Sequence, residues 1–238
     1  MPIEIRNLYA GYYEDIMILQ GVSLIARDLQ ITTVLGPNGV GKSTLLKTIF
    51  GFLQPKRGSI LINGEELKQA RPTEMLDKGI TYIPQRRHIF PYLSVEENLK
   101  LSCWIFRKDK KRIKEGVEGI LERYPQLRKK RKDQAVLMSG GEQRLLEIAK
   151  ALLTNPIFLL IDEPTTGLSP LITHHIYEEL KRLRLKEKKT FLLVDQNIQK
   201  GIEVADYVYI LDLGRNKMEG TSEKFGKAPI EMVRQMLF

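Results

Sequence analysis

The sequence predicts an α/β protein built on a parallel sheet. Short apolar segments alternate with helical patterns over the second half of the chain, and residues 157–161 (Ile-Phe-Leu-Leu-Ile) form an uninterrupted apolar run. Such a run is typical of a strand covered on both faces, and strands that alternate with helices favour a parallel sheet with right-handed crossovers. A glycine-rich loop at residues 36–44 joins an apolar run to a helical pattern, which is the third observation that favours this class.

The remaining elements follow in order from apolar periodicity and from turn and cap signals. Asn63-Gly64 predicts a hairpin turn, Ser94 with Glu97 predicts a capping box, and Tyr124-Pro125 predicts the end of a helix. Strands are predicted at residues 3–9, 17–27, 31–35, 58–62, 80–84, 157–161, 190–194 and 207–212. Helices are predicted at residues 42–51, 73–78, 95–105, 109–124, 141–154, 170–184 and 197–205.

Length and composition limit the class of protein. The 238 residues are enough for one large domain or a core with a subdomain, and the single cysteine, Cys103, excludes a disulfide framework. We expect Cys103 to be a small buried hydrophobe in a protein of a reducing compartment. Since no apolar run approaches the roughly 18 residues that span a bilayer, and the start of the chain lacks a signal peptide, we expect a soluble protein that meets a membrane through a partner.

The net charge of +9 is concentrated in one segment. Residues 107–132 contain twelve Lys or Arg and four Asp or Glu. Three interpretations stay open: a nucleic-acid patch, contact with an anionic cytoplasmic leaflet, and a solvated helical face. No aromatic residues interleave this charge in a way that would stack bases, so binding to single-stranded nucleic acid is the least favoured, and a solvated face is favoured most.

The glycine-rich loop matches G-x-x-x-x-G-K-[ST], the phosphate-binding loop of nucleoside triphosphatases. Glycines let backbone N–H groups close around phosphate oxygens, and a helix N-terminus adds the positive end of its dipole. Lysine reaches the β- and γ-phosphates and the serine hydroxyl binds Mg²⁺. The predicted nucleotide-binding residues of this loop are Gly36, Pro37, Asn38, Gly39, Val40, Gly41, Lys42, Ser43 and Thr44.

Two acids follow the apolar run at 158–161. Asp162 is expected at the carboxyl end of a buried strand, where α/β sheets bind ligands, and is predicted to hold Mg²⁺. Glu163, the next residue, is expected to face the other way and to polarise the water that attacks the γ-phosphate. Lys42 and Glu163 are therefore predicted to be catalytic.

Met138–Gln143, about 20 residues before this strand, reads Met-Ser-Gly-Gly-Glu-Gln. With the phosphate loop and the Asp-Glu strand, it makes nearly the whole chain resemble the ATP-binding cassette (ABC) family. The resemblance implies a RecA-like P-loop NTPase core at 1–86 and 154–238 with an antiparallel β subdomain, and an inserted helical subdomain at 87–153. It also implies that ATP lies between the phosphate loop of one subunit and Ser139, Gly140 and Gly141 of another.

The same resemblance implies roles for other positions. Tyr13, with Tyr12 as a rival, would stack on adenine, and Gln85 would bind Mg²⁺ and sense the membrane partner. Gln196 stands where the family has its switch histidine, which makes it the third predicted catalytic residue. It can still donate a hydrogen bond to a γ-phosphate, although it cannot carry charge. Pro170 replaces the usual aspartate of the dimer-contacting loop.

Residues 85–99, Ser-Gly-Gly-Glu-Gln and the Gln-Asn pair at 196–197 are similar to the ATPases of branched-chain amino acid and related amide or urea importers. The resemblance implies an ATP- and Mg²⁺-dependent ATPase that powers uptake of such solutes. Its partners would be membrane permease subunits and a second ATPase subunit, without direct contact to solute or nucleic acid, and its location the inner face of the cell membrane. The alternatives are the ATPase of an exporter or lipid-extraction machine, and a soluble cassette acting on nucleic acid or ribosomes.

Overall fold

The structure is a computed structural model that describes residues 1–13, 15–86 and 88–226. The strands are Ile3–Ala10 (β1), Leu19–Ala26 (β2), Ile31–Leu35 (β3), Arg57–Ile62 (β4), Glu65–Glu66 (β5), Ile80–Ile83 (β6), Phe158–Asp162 (β7), Thr190–Asp195 (β8), Tyr207–Asp212 (β9) and Arg215–Thr221 (β10). The helices are Lys42–Phe50 (α1), Pro72–Asp77 (α2), Val95–Ser102 (α3), Lys110–Arg123 (α4), Pro125–Lys129 (α5), Gly140–Leu152 (α6), Pro170–Glu187 (α7), Ile198–Val204 (α8) and Ser222–Gly226 (α9).

The strands form two sheets. The central sheet has the order β10-β9-β3-β8-β7-β6, and all of its neighbouring pairs are parallel except β9 with β10 at the edge. The second sheet, β2-β1-β4-β5, is antiparallel. The predicted α/β class, with a parallel core and an antiparallel β unit, is therefore confirmed.

Strand β7 shows why an unbroken apolar run predicted a doubly covered strand. Leu159 and Ile161 pack in a core cluster with the helices of the second layer, whereas Phe158 and Leu160 pack with α1 and the antiparallel sheet. All four side chains are fully buried. Because burial of each such side chain stabilises the fold by roughly 1.5–3 kcal/mol, this strand holds the two layers together.

The helical arm, residues 95–152 with α3 to α6, covers one face of the central sheet. Its first helix begins at the predicted capping box, where Ser94 and Glu97 satisfy each other's backbone N–H groups. The predicted continuous helix at 95–105 is wrong, because α3 ends at Ser102 and a 3-10 turn follows at Trp104–Phe106. Cys103 at this break is buried, as expected, and its thiol donates to the carbonyl of Leu99.

Several elements carry too weak a sequence signal to be predicted. Strand β10 is polar and mostly exposed along its length, so it shows no apolar alternation. Pro125 not only ends α4 but also occupies the first turn of the short helix α5, where a missing N–H costs nothing. Helix α7 extends three residues beyond its predicted end, to Glu187.

The predicted subdomain boundaries at 86/87 and 153/154 stay a prediction. Arg87, the first residue of the predicted helical subdomain, and residues 227–238 of the predicted core lie outside the described residues. Within the described part of the chain, no helix is both long and apolar enough to cross a bilayer.

Candidate active site

The glycine-rich loop connects the end of β3 to the start of α1, as predicted. Gly39 and Gly41 have φ angles of +85° and +103°, which L side chains rarely adopt. A Cβ atom at Gly36 would lie 2.4 Å from the carbonyl oxygen of Leu211. Glycine is therefore required at these three positions, and the loop leads its backbone N–H groups into the N-terminus of α1. The other residues of the predicted loop are Pro37, Asn38, Val40 and Thr44.

The amine of Lys42 is buried at the centre of the site. Its Nζ donates to the carbonyl oxygens of Gly36 and Pro37, both at 2.8 Å, and lies 3.7 Å from Oε1 of Glu163. Burial lowers the pKa of Lys42, and the neighbouring carboxylates, Glu163 first among them, oppose that shift. The buried amine of Lys42, beside a loop whose N–H groups can bind an anion, is suited to bind phosphate oxygens.

The carboxylate of Asp162 lies at the end of β7 and is held from two sides. Ser43 donates its hydroxyl to Oδ1 at 3.0 Å, and Tyr82 donates its hydroxyl to Oδ2 at 3.1 Å. Burial raises the pKa of Asp162, while these two hydrogen bonds favour the ionised form. The structure thus brings together two of the predicted metal ligands, Ser43 and Asp162, and adds Tyr82, which sequence reasoning missed.

Glu163 does not follow the strand alternation that predicted it to face away from Asp162. Its φ of +41° breaks the extended backbone, and its backbone N–H donates to the carbonyl of Val194. The carboxylate then accepts hydrogen bonds from Gln85 Nε2 (2.6 Å) and Thr166 Oγ1 (2.8 Å) at Oε2. Both acids therefore line the crevice beside the phosphate loop.

Asp195 is a third buried carboxylate at the site, at the end of β8. It accepts hydrogen bonds from the hydroxyl of Tyr177 and from the backbone N–H of Asn197. Burial raises its pKa, and the charge of Glu163 adds to that effect. The sequence signal was present, because an apolar run, Phe191–Val194, ends in an acid here just as it does at Asp162.

Gln196, the position predicted to replace a switch histidine, is exposed directly after β8. It lines a cavity of about 270 Å³ together with Thr166, Gly167 and Leu168 from the turn that follows Glu163. Pro170, the departure from the family pattern, occupies the first turn of α7, a position that suits proline.

Ser139 begins α6 as part of a capping box. Its hydroxyl accepts from the N–H of Glu142, and the Glu142 carboxylate accepts from the N–H of Ser139 and from Lys130 Nζ. Gly140 and Gly141 form the first turn, and a Cβ atom at Gly141 would lie 2.6 Å from the side chain of Ile172. Among the described residues, no hydrogen bond joins Ser139 to residues 36–44 of the same chain.

The two rival tyrosines differ in their surroundings. Tyr12 accepts a hydrogen bond from Lys47 Nζ at 3.0 Å, and the same amine lies over its ring. Tyr13 is 70% exposed, against 48% for Tyr12. Tyr13 therefore presents the more accessible ring, and its role in adenine stacking stays a prediction.

A groove of about 690 Å³ opens at Pro84, the residue before Gln85. Its lining is mainly apolar and aromatic: Tyr12, Lys47, Phe50, Phe52, Leu53, Tyr82, Pro84 and His88. Tyr82 connects the groove to the site, because its hydroxyl donates to Asp162.

Arg144 is a buried residue of α6 that sequence reasoning missed. Its guanidinium donates to the carbonyl oxygens of Pro84 (3.0 Å), Pro164 (2.8 Å) and Asp162 (3.2 Å), and to Glu147 at 2.8 Å. One side chain of the helical arm thus holds the backbone before and after Glu163, together with that of Pro84. No local pattern marked it, because the neighbouring residues, Leu145 to Glu147, read as an ordinary amphipathic helix.

Comparisons with known proteins identify this arrangement. The ABC transporter family model matches residues 19–166. The chain is 40% identical over 227 residues to the probable branched-chain amino acid transport ATP-binding protein LivF of Archaeoglobus fulgidus, covering 93% of this chain and 95% of the relative. It is also 40% identical over 210 residues to the high-affinity branched-chain amino acid transport ATP-binding protein BraG of Pseudomonas aeruginosa, covering 88% and 89%.

Comparison with solved structures leads to the same family. The structure superimposes on the ADP conformation of MJ1267, an ATP-binding cassette of an ABC transporter, with a TM-score of 0.87 and 27% identity. The alignment covers 99% of this chain and 98% of that one. The chain therefore belongs to the ABC transporter family and carries its nucleotide-binding ATPase cassette.

Proposed function

We propose that this chain is the ATP-hydrolysing subunit of a multisubunit importer of branched-chain or related amino acids. The observation that carries the ATPase assignment is the buried amine of Lys42, held between the phosphate loop and Glu163. The choice of solute rests on the two relatives that are 40% identical and named for branched-chain amino acid transport.

The residues of the site fit ATP and Mg²⁺. Lys42, at the N-terminus of α1, offers its amine to the β- and γ-phosphates together with the N–H groups of the loop. Ser43, Gln85 and Asp162 supply hydroxyl, amide and carboxylate oxygens, the donors that Mg²⁺ prefers. Bound Mg²⁺ would neutralise charge on the β- and γ-phosphate oxygens.

Glu163 is the proposed general base. Its Oε2 is held by Gln85 and Thr166, while Oε1 faces the amine of Lys42, so the carboxylate is oriented before substrate binds. A carboxylate in this position polarises the attacking water and accepts its proton. We assign γ-phosphate sensing to Gln196 and adenine stacking to Tyr13, whose side chains are both exposed.

We further propose that two ATPase subunits enclose each ATP. Ser139, Gly140 and Gly141 form the positive N-terminus of α6 and make no hydrogen bond to the described phosphate loop of their own chain. A second subunit related by two-fold symmetry would bring each such terminus to the partner's phosphate loop. The Ser139 hydroxyl, whose hydrogen is not used in the capping box, remains able to donate to a phosphate oxygen.

The membrane permease is proposed to dock at the groove beside Gln85. The groove offers Phe50, Phe52 and Leu53, and the following segment adds Phe90 and Tyr92, which are 51% and 76% exposed. A short amphipathic helix needs aromatic and apolar anchors of this kind. Such docking would place the chain on the inner face of the cell membrane and would couple permease state to Gln85 and Asp162, a linkage that acts in both directions.

Not all of the segment from 89 to 93 is available to a partner. Ile89 packs against the core cluster of the helical arm, which agrees with the alternative of internal packing. Phe90 lies under the amine of Lys150, at 5.5 Å. Tyr92 is therefore the better probe of docking.

The exporter and nucleic-acid alternatives share the same ATPase chemistry. The relatives at 40% identity favour amino acid transport over both of them. Co-purification with permease subunits would support the proposal, whereas co-purification with nucleic acid or ribosomes would contradict it.

Lys42→Ala and Glu163→Gln are expected to separate binding from chemistry. Lys42→Ala should weaken ATP binding because it removes the charge that meets the phosphates. Glu163→Gln should bind ATP normally and lose about 10²–10⁴-fold in turnover, the usual contribution of a positioned base. Nucleotide titration and phosphate release measure the two effects, with Lys68→Ala and Glu122→Gln as exposed controls. Near-normal hydrolysis by Glu163→Gln would exclude Glu163 as the base.

ATP is expected to dimerise the Glu163→Gln chain, and Ser139→Arg in that background should abolish the dimer because its bulk occupies the phosphate position. Light scattering with and without ATP measures the mass, and Thr73→Arg, at an exposed position of α2, is the control. A chain that stays monomeric with ATP at every concentration, also when permease and any sister ATPase are supplied, would contradict the shared site.

Tyr92→Ala is expected to leave ATP hydrolysis by the isolated chain nearly intact and to weaken its assembly with the permease, because the ring is 76% exposed. Pull-down of co-expressed permease measures assembly. Leu185→Ala, which removes a 68% exposed apolar side chain from α7, is the control. Unchanged assembly of the Tyr92 variant, or unfolding of the isolated chain, would show that the docking site is wrongly placed.

A further inference from the structure

The far end of α3 carries an exposed apolar and basic surface that the ATPase site does not use. Trp104 and Ile105, in the 3-10 turn, are 63% and 51% exposed, and Leu101 precedes them at 39%. Exposed Lys and Arg follow directly, and we call residues 101–114 the arm tip: its basic members are Arg107, Lys108, Lys110, Lys111, Arg112 and Lys114.

The basic segment 107–132 divides into two parts in the structure. In its second part, Arg123 pairs with Glu187, Lys130 with Glu142, and Arg131 with both Glu96 and Glu118. Those charges serve the internal packing of the helical arm. The basic segment is thus only partly the solvated face that its composition favoured.

The first part lies in the arm tip and is left largely unpaired. Within the part of the chain that the structure describes, its basic side chains have one carboxylate partner, Glu115, which lies 3.9 Å from Lys111. The single acid of the arm tip, Asp109, is engaged at the N-terminus of α4, where its side chain accepts from the N–H of Arg112. The arm tip therefore carries six cations against the single carboxylate of Asp109, and Glu115 follows directly after it.

The aromatic and cationic groups of the arm tip contact one another. The guanidinium of Arg107 lies over the ring of Trp104 at 5.0 Å, and that of Arg112 lies over Phe106 at 4.2 Å. Apolar rings and positive heads thus form one continuous surface. Phe106 is partly buried against the core cluster and anchors it.

We propose that the arm tip binds the surface of an anionic phospholipid bilayer. Tryptophan favours the boundary between headgroups and acyl chains, and Lys and Arg close to it are attracted to anionic lipid. The apolar side chains would contact the acyl-chain boundary, and the cations beside them would contact the anionic headgroups. A helical face that is only solvated does not require the exposed apolar side chains of Trp104 and Ile105.

The position of the arm tip agrees with this occupant. Helix α3 has eight residues, so the arm tip lies about 12 Å along the helix from the segment around Tyr92. A chain docked to a permease at that segment would hold the arm tip near the bilayer. This positional argument rests on the proposed function, whereas the arguments from charge and exposure do not.

Trp104 is the only tryptophan of the chain, so its fluorescence reports directly on the proposed contact. The isolated wild-type chain is mixed with vesicles of equal parts phosphatidylglycerol and phosphatidylcholine, or of phosphatidylcholine alone. We expect a blue shift and quenching by brominated acyl chains with the anionic vesicles only, and both effects should weaken as salt is added. An unchanged spectrum at low salt, or an equal response to neutral vesicles, would overturn the proposal.

Variants test whether the arm tip carries the binding. Lys108→Gln, Lys110→Gln and Lys114→Gln together should weaken co-sedimentation with anionic vesicles by about 10²-fold, since each lysine contributes roughly fivefold. Lys68→Gln, Lys78→Gln and Lys186→Gln remove the same charge from other exposed sites and should bind as the wild type does. Equal loss in both triple variants would mean that net charge alone governs binding and would overturn the proposal.

Two further measurements separate this proposal from its rivals. If single-stranded polyuridylate binds more tightly than the vesicles and displaces them, the arm tip is a nucleic-acid surface and the lipid assignment is wrong. Basal ATP hydrolysis should be unchanged in the arm-tip variant. Vesicle binding is measured on the isolated chain. A negative result would therefore contradict the lipid proposal alone and leave the ATPase and docking proposals standing. Failure of the ATPase or docking tests would likewise leave the lipid proposal standing.

Discussion

The position of one buried amine determines the rest of this site. Lys42 Nζ donates to two carbonyl oxygens of the phosphate loop and lies beside Glu163, while Asp162 and Asp195 add negative charge around it. A lysine is rarely buried unless its charge is compensated, and these carboxylates supply the compensation. The amine of Lys42 thus stabilises the three neighbouring carboxylates in the absence of substrate. The same positive charge is suited to bind the phosphates of a nucleoside triphosphate.

This arrangement depends on strand register. In the central sheet Leu35 pairs with Asp195, and Asp162 pairs with Val194, so β3, β7 and β8 end at the same level. The phosphate loop and two of the carboxylates therefore leave one edge of the sheet side by side. Arg144 then joins the helical arm to this edge through three backbone carbonyl groups. Movement of the arm and the geometry of the carboxylates are thus physically connected.

Local patterns predicted the parts of the site whose residues are close in sequence. Two local patterns were enough to place the loop and the acids: the spacing from Gly36 to Ser43 and the apolar strand before Asp162. Each of these short motifs is associated with one local backbone conformation, so it can be recognised without knowledge of the fold. Tyr82 and Arg144 were missed because their contacts join residues 80 and 18 to 60 positions apart, which only the fold brings together. At Glu163 a positive φ breaks the strand alternation on which the expectation for its side chain rested. Edge strand β10 is polar, and helices α5 and α9 have only five residues each. Their sequences therefore lack the regular spacing of apolar residues that marks a buried strand or helix face.

In this account, bound substrate replaces the hydrogen bonds that Lys42 makes to the loop carbonyl oxygens and that Ser43 makes to Asp162. A crystal structure of the isolated chain with Mg²⁺ and a slowly hydrolysed ATP analogue tests this most directly. The account predicts that Lys42 leaves the carbonyl oxygens of Gly36 and Pro37 for the phosphates, and that Ser43 leaves Asp162 for the metal. Phosphates bound elsewhere, with Lys42 still donating to those carbonyl oxygens and Ser43 to Asp162, would contradict it.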